Sequence, residues 1–317
     1  MLQNNLAPIA LFVYNRPEHT KRVLDSLIKN PEAINSNLYV FADGAKDSSN
    51  TIEVNKIREM KSLIFQYTKG FNLITIIERS NNFGLANNII DGISNVLAMY
   101  KYIIVLEDDI VVSKGFLQFM NKGLFLYEHN NKVSTIQGFQ FPINFDNDVN
   151  TYFDSAVGCW GWATWRDRWD LFEPNGKKLW EIINTNNSWE KFNINNSYNF
   201  KELLEEQIEG KKNSWAIRWY ASLFVNDKLN LYPAISLTLN IGNDGSGYHK
   251  SKQDTSHFPI SDNAHIDLNE AELCDREVKK VINFRKKQLR KLKLSNFITK
   301  FKINILKIDK LQWKKLL

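Results

Sequence analysis

Three carboxylates, Glu107, Asp108 and Asp109, follow directly on an apolar, β-branched run from Tyr102 to Leu106. Such a run has the character of a strand buried on both faces of a parallel sheet. Carboxylates crowded at the end of that strand repel one another and lose solvation, so a cation belongs beside them. A divalent metal holding a diphosphate would meet that need, because hard cations take carboxylate and phosphate oxygens together. Open α/β sheets also bind ligands at the carboxyl ends of their strands. The plainer alternative is an exposed acidic turn.

The elements that would position this row read as an alternating α/β pattern. Ile9 to Tyr14 is a first strand, closed by Asn15-Arg16-Pro17, and Pro17 with Glu18 suits the first turn of a helix. Val23, Leu24, Leu27 and Ile28 give that helix its apolar face. Leu38 to Ala42 is a second strand ending in Asp43-Gly44, where a plain turn is one reading. A helix carrying Ile57, Met60 and Ile64 follows, then a strand from Phe71 to Ile77. Residues 78–88 form a loop into a helix carried by Ile89, Ile90, Ile93, Val96 and Leu97. Four strands with three helices predict a parallel α/β half-domain, and right-handed crossovers align Asn15, Asp43 and Asp109 along one rim.

Composition narrows the class. A chain of 317 residues with 43% hydrophobic and 24% charged residues can bury a sizeable core. Two separated cysteines, Cys159 and Cys274, make neither a disulfide framework nor a metal knuckle, which points to a reducing cytosol. No signal peptide and no bilayer-spanning run is evident. The net charge of +6 is uneven: Arg276 to Leu317 carries fifteen Lys and Arg against two acidic residues, +13, leaving −7 for residues 1–275. A mildly acidic body argues against a nucleic-acid surface, so no nucleic acid is expected as partner.

Taken in order, several segments resemble GT-A fold nucleotide-sugar glycosyltransferases of the family 2 type, related to N-acetylglucosaminyltransferase I. The matching pieces are residues 10–17 (ALFVYNRP), 41–44 (FADG), 81–88 (NNFGLANN), 105–109 (VLEDD), 158–165 (GCWGWATW) and 240–249 (NIGNDGSGYH). The resemblance covers about the first 250 residues and none of the tail. It implies a Rossmann-like, mostly parallel central sheet with flanking helices and a hexosyltransferase-type enzyme. Its donor would be a nucleotide sugar, UDP-linked by preference, with Mn²⁺ or Mg²⁺ as cofactor. A nucleotidyltransferase and a non-catalytic nucleotide-sugar-binding protein are the alternatives.

The resemblance also implies roles. Asp43 would contact the nucleoside, with Asn15, Arg16 and Asn82 in the same donor-binding set. Asp109 would hold the metal, and Glu107 and Asp108 would face the ribose or the sugar. His249, behind Gly242, Gly245 and Gly247, resembles the C-terminal metal-ligand histidine of such enzymes, against a solvated loop residue as the plainer reading. Trp160 and Trp162, flanking Gly161, are the candidates for stacking on a sugar face. Trp162, Trp165 and Trp169 also lie at helical spacing, which reads as a core-facing stripe. An inverting transfer needs a proton acceptor, whereas a retaining transfer, the alternative, does not need that base. N-acetylglucosaminyltransferase I relatives place an Asp in a Trp-Asp-x-x-Trp segment, and here Ala216 stands in that position. Asp244 is the first candidate base and Asp154 the second.

The expected organisation is a GT-A domain over 1–250, divided into a nucleotide-sugar half (1–112) and an acceptor half (113–250). A linker (251–275) and a basic amphipathic helical tail (276–317) follow. Leu294, Phe297, Ile298, Phe301, Ile305 and Ile308 recur at helical spacing among lysines, which suits an anionic membrane surface. A helix packed on the acidic body is the alternative. The expected setting is the cytoplasmic face of a membrane, with a glycan or lipid-linked glycan acceptor in surface polysaccharide or lipopolysaccharide assembly.

Overall fold

The computed structural model describes residues 6–146, 149–245, 260, 261, 268, 277–288 and 290. Four apolar runs form the parallel half: β1 (Ile9–Val13), β2 (Asn37–Ala42), β3 (Leu73–Glu78) and β4 (Tyr102–Glu107). They lie in the order β3-β2-β1-β4, with Ile9 opposite Leu38 on one side and Ile104 on the other. The crossovers are α1 (Pro17–Leu27), α2 (Thr51–Ile64) and α3 (Leu85–Met99). Pro17 occupies the first turn of α1, and the Asn50 side chain caps α2 by accepting from the Glu53 amide. Alternation along β1 sorts the core. Ile9, Leu11 and Val13 meet α1, whereas Ala10 and Phe12 meet α3.

The second half continues the same sheet with mixed direction. β5 (Ile110–Val112), α4 (Phe116–Leu126), β6 (Val133–Gln137), β7 (Thr151–Asp154), β8 (Trp162–Trp165) and α5 (Arg166–Trp169) come first. Next are α6 (Gly176–Thr185), α7 (Trp189–Phe192), α8 (Phe200–Ile208), α9 (Trp215–Val225), β9 (Leu229–Pro233) and β10 (Thr238–Asn240). The eight-stranded sheet runs β3-β2-β1-β4-β8-β6-β9-β7, and β10 pairs with β5 in a small antiparallel ribbon. β8 is antiparallel to both β4 and β6, and β9 is parallel to β6. The strands β4, β6 and β9 therefore all end on one rim of the sheet.

The tryptophan-rich segment differs from its helical spacing. Trp162 to Trp165 is a strand buried on both faces, with Trp162 in one apolar layer and Trp165 in the other. Trp162 stacks on Trp215 at 5.7 Å and lies against Trp169 and Trp219. It is fully buried, so it belongs to the core and not to a sugar-stacking surface.

A buried polar chain crosses this half. The Gln137 amide donates to Thr135 Oγ1 (2.6 Å), whose hydroxyl donates to Asn230 Oδ1 (2.7 Å). Asn230 Nδ2 in turn holds the Ala156 carbonyl at 2.9 Å, and the Gly158 amide donates back to Gln137 Oε1. Residues 156–158 are thereby pinned from two strands.

Residues 277–288 form a further helix, α10, which packs on this region. Val281 is buried with Tyr152 and Tyr232, and Ile282 with Ala156 and Ile194. Arg285 Nη1 lies 3.0 Å from Asp154 Oδ2, and Lys280 Nζ 3.0 Å from Asp146 Oδ1. This stretch of the basic tail therefore follows the acidic-body alternative, and a boundary at 275 would part a packed helix from the body it covers. The amphipathic residues from Leu294 to Ile308 lie outside the described residues. Among the described residues no helix is long and apolar enough to cross a membrane.

Candidate active site

The carboxylate row sits where β4 leaves the sheet, with Asp108 buried and Glu107 and Asp109 half-buried. Arg16, at the end of β1, reaches across to it. Its Nε lies 3.2 Å from Asp108 Oδ2, its Nη2 contacts Asp108 Oδ1, and the same Nη2 lies 2.9 Å from Asp109 Oδ2. The cation that the sequence demanded is thus partly supplied from within, by a residue read as part of the donor-binding set. One guanidinium against three carboxylates still leaves an excess of negative charge. Burial, then the charges of Asp109 and Asp108, push Glu107 up to about 8. Burial likewise raises Asp108 to about 6, although Arg16 opposes the shift. Burial works against the charge on Arg16, and Asp108 and Asp109 more than offset it.

The segment after β10 covers this cluster. The Ile241 amide donates to the Asp109 carbonyl at 2.9 Å. Gly242 lies so close that a Cβ there would fall 2.1 Å from Asp109 Oδ2 and 3.0 Å from Arg16 Nη1. Only glycine allows that approach. Asp244 Oδ2 lies 3.2 Å from Nε2 of His19, on the first turn of α1. Arg16 Nη1 is buried and makes no hydrogen bond among the described residues. A buried donor without an acceptor, beside a loop that passes over it, suits an anionic oxygen.

Asp43 has a different task from an open nucleoside acceptor. Its carboxylate accepts from the amides of Gly44 (2.9 Å), Phe83 (2.7 Å) and Gly84 (3.0 Å), and from Asn82 Nδ2 (3.2 Å). Asp43 and Asn82 therefore fix the 81–84 loop at the same rim, and any nucleoside contact would share an oxygen already engaged. Asn15 Nδ2 lies 3.4 Å from Glu53 Oε1, which also accepts from the Tyr14 hydroxyl at 2.5 Å.

Trp160 is half-buried, edge-on to Phe139 at 4.5 Å, with its carbonyl held by Thr238 Oγ1. Burial, followed by the charges of Glu107 and Asp109, pushes the thiol of its neighbour Cys159 well up. Gly161, at φ +80°, packs on Thr238 and Leu106, so its close approach is to protein.

Asp154 is not at this rim. It ends β7, which is antiparallel to β9, so it lies at the far ends of the strands from Glu107. There it is buried, paired with Arg285, and accepts from the Ala156 amide. That setting withdraws it as a base. His249 lies outside the described residues. Among the described residues no three His, Cys, Asp or Glu side chains are grouped as metal ligands. What suits a hard divalent cation is Asp109 beside the covering loop, with negative charge in excess around it and burial pushing Glu107 up to about 8.

Residues 9–148 match the sequence model described as Glycosyl transferase family 2. No curated protein sequence matches the chain. Among solved structures, S. aureus TarS is similar at 13% identity with a TM-score of 0.35, over 53% of this chain and 29% of that one. A TarS 1–349 structure gives 12% and 0.35, over 57% and 49%. A cytidylyltransferase from Leptospira borgpetersenii gives 11% and 0.30, over 56% and 65%. The chain thus spans less than half the length of the TarS chains.

Proposed function

With residues 9–148 a family 2 glycosyltransferase domain on a GT-A fold, we propose that the chain transfers a hexose-type sugar from a nucleotide donor to a glycan acceptor. The observation that carries this reading is the carboxylate row with Arg16 at the end of β4, negative in excess and covered by the Gly242 loop. Mn²⁺ or Mg²⁺, arriving with the donor diphosphate, would bring the missing positive charge to the carboxylates. Asp109 would hold the ion, with His249 as the second ligand the sequence suggests. The ion's contribution when bound is to neutralise charge on the departing diphosphate.

The chain's own residues account for the rest. Arg16 offers its unpartnered Nη1 to a diphosphate oxygen. Asp43 and Asn82 hold the loop at residues 81–84 against the nucleoside side. Asp244, positioned by His19, takes the proton of the acceptor hydroxyl. The acceptor oxygen then bonds to the anomeric carbon as the bond from that carbon to the diphosphate breaks. Trp160 flanks the sugar. Ala216, where relatives carry a carboxylate, favours one other reading, a nucleotide-sugar-binding protein without turnover.

A glycan or lipid-linked acceptor at the cytoplasmic face of a membrane suits the +13 charge of residues 276–317. Calorimetric titration of UDP with and without Mn²⁺, followed by hydrolysis of a nucleotide-sugar panel, tests the reading. Metal-dependent UDP binding with turnover of at least one donor is expected. Binding without turnover selects the non-catalytic reading, and no binding removes both. Asp244→Asn should lower turnover about a hundredfold, the usual size of a general-base contribution.

A further inference from the structure

At the opposite rim, where β9 begins at Leu229 and β7 ends before Ser155, lies a half-open cavity of about 380 Å³. That volume falls within the range of roughly 300–1,000 Å³ usual for small-molecule sites. Because β9 runs parallel to β6 and hence to β4, this cavity and the carboxylate row lie at opposite ends of the sheet. The two are separate sites.

Its lining has two characters. Ile183, Phe224 and Ile282 make an apolar floor, and Asn186, Ser188 and Asn195 set amides and a hydroxyl on the rim. The backbone around it is unusual. All five described non-glycine residues with positive φ, namely Asn187, Ile194, Asn195, Asn196 and Asp227, belong to its walls or adjoin them. Asparagine tolerates that conformation, but Ile194 at φ +49° is β-branched and disfavoured there. Asn187 and Asp227 close the C-termini of α6 and α9, the Ser188 amide donating to the Ile183 carbonyl and the Lys228 amide to the Leu223 carbonyl, so the cavity is walled by helix ends.

Electrostatics narrows the ligand. Both α6 and α9 end here, so their carbonyl ends give the cavity a negative bias that disfavours anions. Two lysines of the lining, Lys191 and Lys228, offset that bias, with Lys228 Nζ donating to the Asn131 carbonyl at 2.6 Å, while Asp227 pairs with Lys132, so neither sign of ligand charge is favoured. What suits carbonyl acceptors, amide donors and an apolar floor together is a neutral ring with hydroxyls at its edge and C–H groups on its face.

We propose that this cavity is a second carbohydrate site, holding one neutral sugar unit of a glycan away from the transfer rim. The choice of glycan rests on the glycosyltransferase reading; the cavity's separateness does not. The test is retention of the full-length protein on a printed panel of neutral oligosaccharides containing hexose and N-acetylhexosamine units. UDP–Mn²⁺ binding is measured in parallel. Wild type and Asp109→Asn should be retained alike, and saturating UDP–Mn²⁺ should not compete. Asn186→Ala combined with Asn195→Gly, which keeps the left-handed backbone, should lose at least about tenfold in retention at an unchanged melting temperature. The proposal is overturned if wild type is retained on no glycan, if Asp109→Asn abolishes retention, or if the double variant is retained like wild type. Retention without UDP–Mn²⁺ binding would instead remove the transfer-site reading and leave the cavity standing.

Discussion

At one rim of the sheet Arg16 meets Asp108 and Asp109 with Glu107 beside them; at the other, Arg285 meets Asp154 alone. Both arginines are largely withdrawn from water, and both stay charged because carboxylates face them. The difference lies in the count. Asp154 and Arg285 cancel, leaving a pair that ties α10 to the sheet. The Arg16 cluster does not cancel, and folding there leaves carboxyls that keep their protons into the neutral range. A matched buried pair serves the fold, whereas an unmatched one is poised for something still to arrive.

The largest expected effect breaks the matched pair. Arg285→Met leaves Asp154 buried and unpaired, and should cost about 3–5 kcal/mol of unfolding free energy in urea. Adding Asp154→Leu should recover a good part of it, because no buried charge then remains. At the other rim the order reverses. Asp109→Asn should leave the melting temperature unchanged or raised, since it relieves repulsion, yet weaken UDP binding with Mn²⁺ about a hundredfold (~2.7 kcal/mol) by calorimetry.

A pH series sharpens the contrast. Glu107 and Asp108 hold their protons to higher pH folded than unfolded, so folding takes up protons there. Their stabilising contribution is complete in acid below the ordinary carboxyl range, and is lost as pH rises through about 6 and then about 8. Thermal melts should therefore show stability falling by up to about 1.4 kcal/mol per pH unit for each such group. UDP with Mn²⁺ should flatten that fall. The smallest effect is expected from Gly242→Ala, whose Cβ would strike Asp109 and Arg16. It should displace the covering loop and weaken UDP–Mn²⁺ binding about tenfold (~1.4 kcal/mol), with little change in melting.

Three strands of the parallel half, β1, β2 and β4, were legible because they are buried on both faces and read as unbroken apolar runs from Ile9, Leu38 and Tyr102. The same burial hid β8: with Trp162, Ala163 and Trp165 all inside, no alternation of two remained to separate strand from helix. β6 was hidden differently, since Ser134, Thr135 and Gln137 look solvated but are buried, with Thr135 and Gln137 held in a chain that reaches Asn230. At the site, the carboxylate row was visible as a row of like charges after a strand. Arg16 as its counter-charge was not, because its grip depends on β1 lying beside β4. Asp154 illustrates the same limit: its chemistry fitted a base, and only the strand directions place it at the wrong rim.

The tie between Asp154 and Arg285 also sets an order on synthesis. Asp154 leaves the ribosome 131 residues ahead of Arg285 (285 less 154). Arg16 and Asp108, by contrast, are only 92 residues apart, so the carboxylate rim can close early on a nascent chain. Until residue 285 emerges, the second half holds a carboxylate with no counter-charge and an apolar face, around Tyr152 and Tyr232, with no helix over it. A polypeptide arrested between residues 249 and 285 would carry its reaction rim on an unfinished support, open to proteases on the side that α10 would have covered.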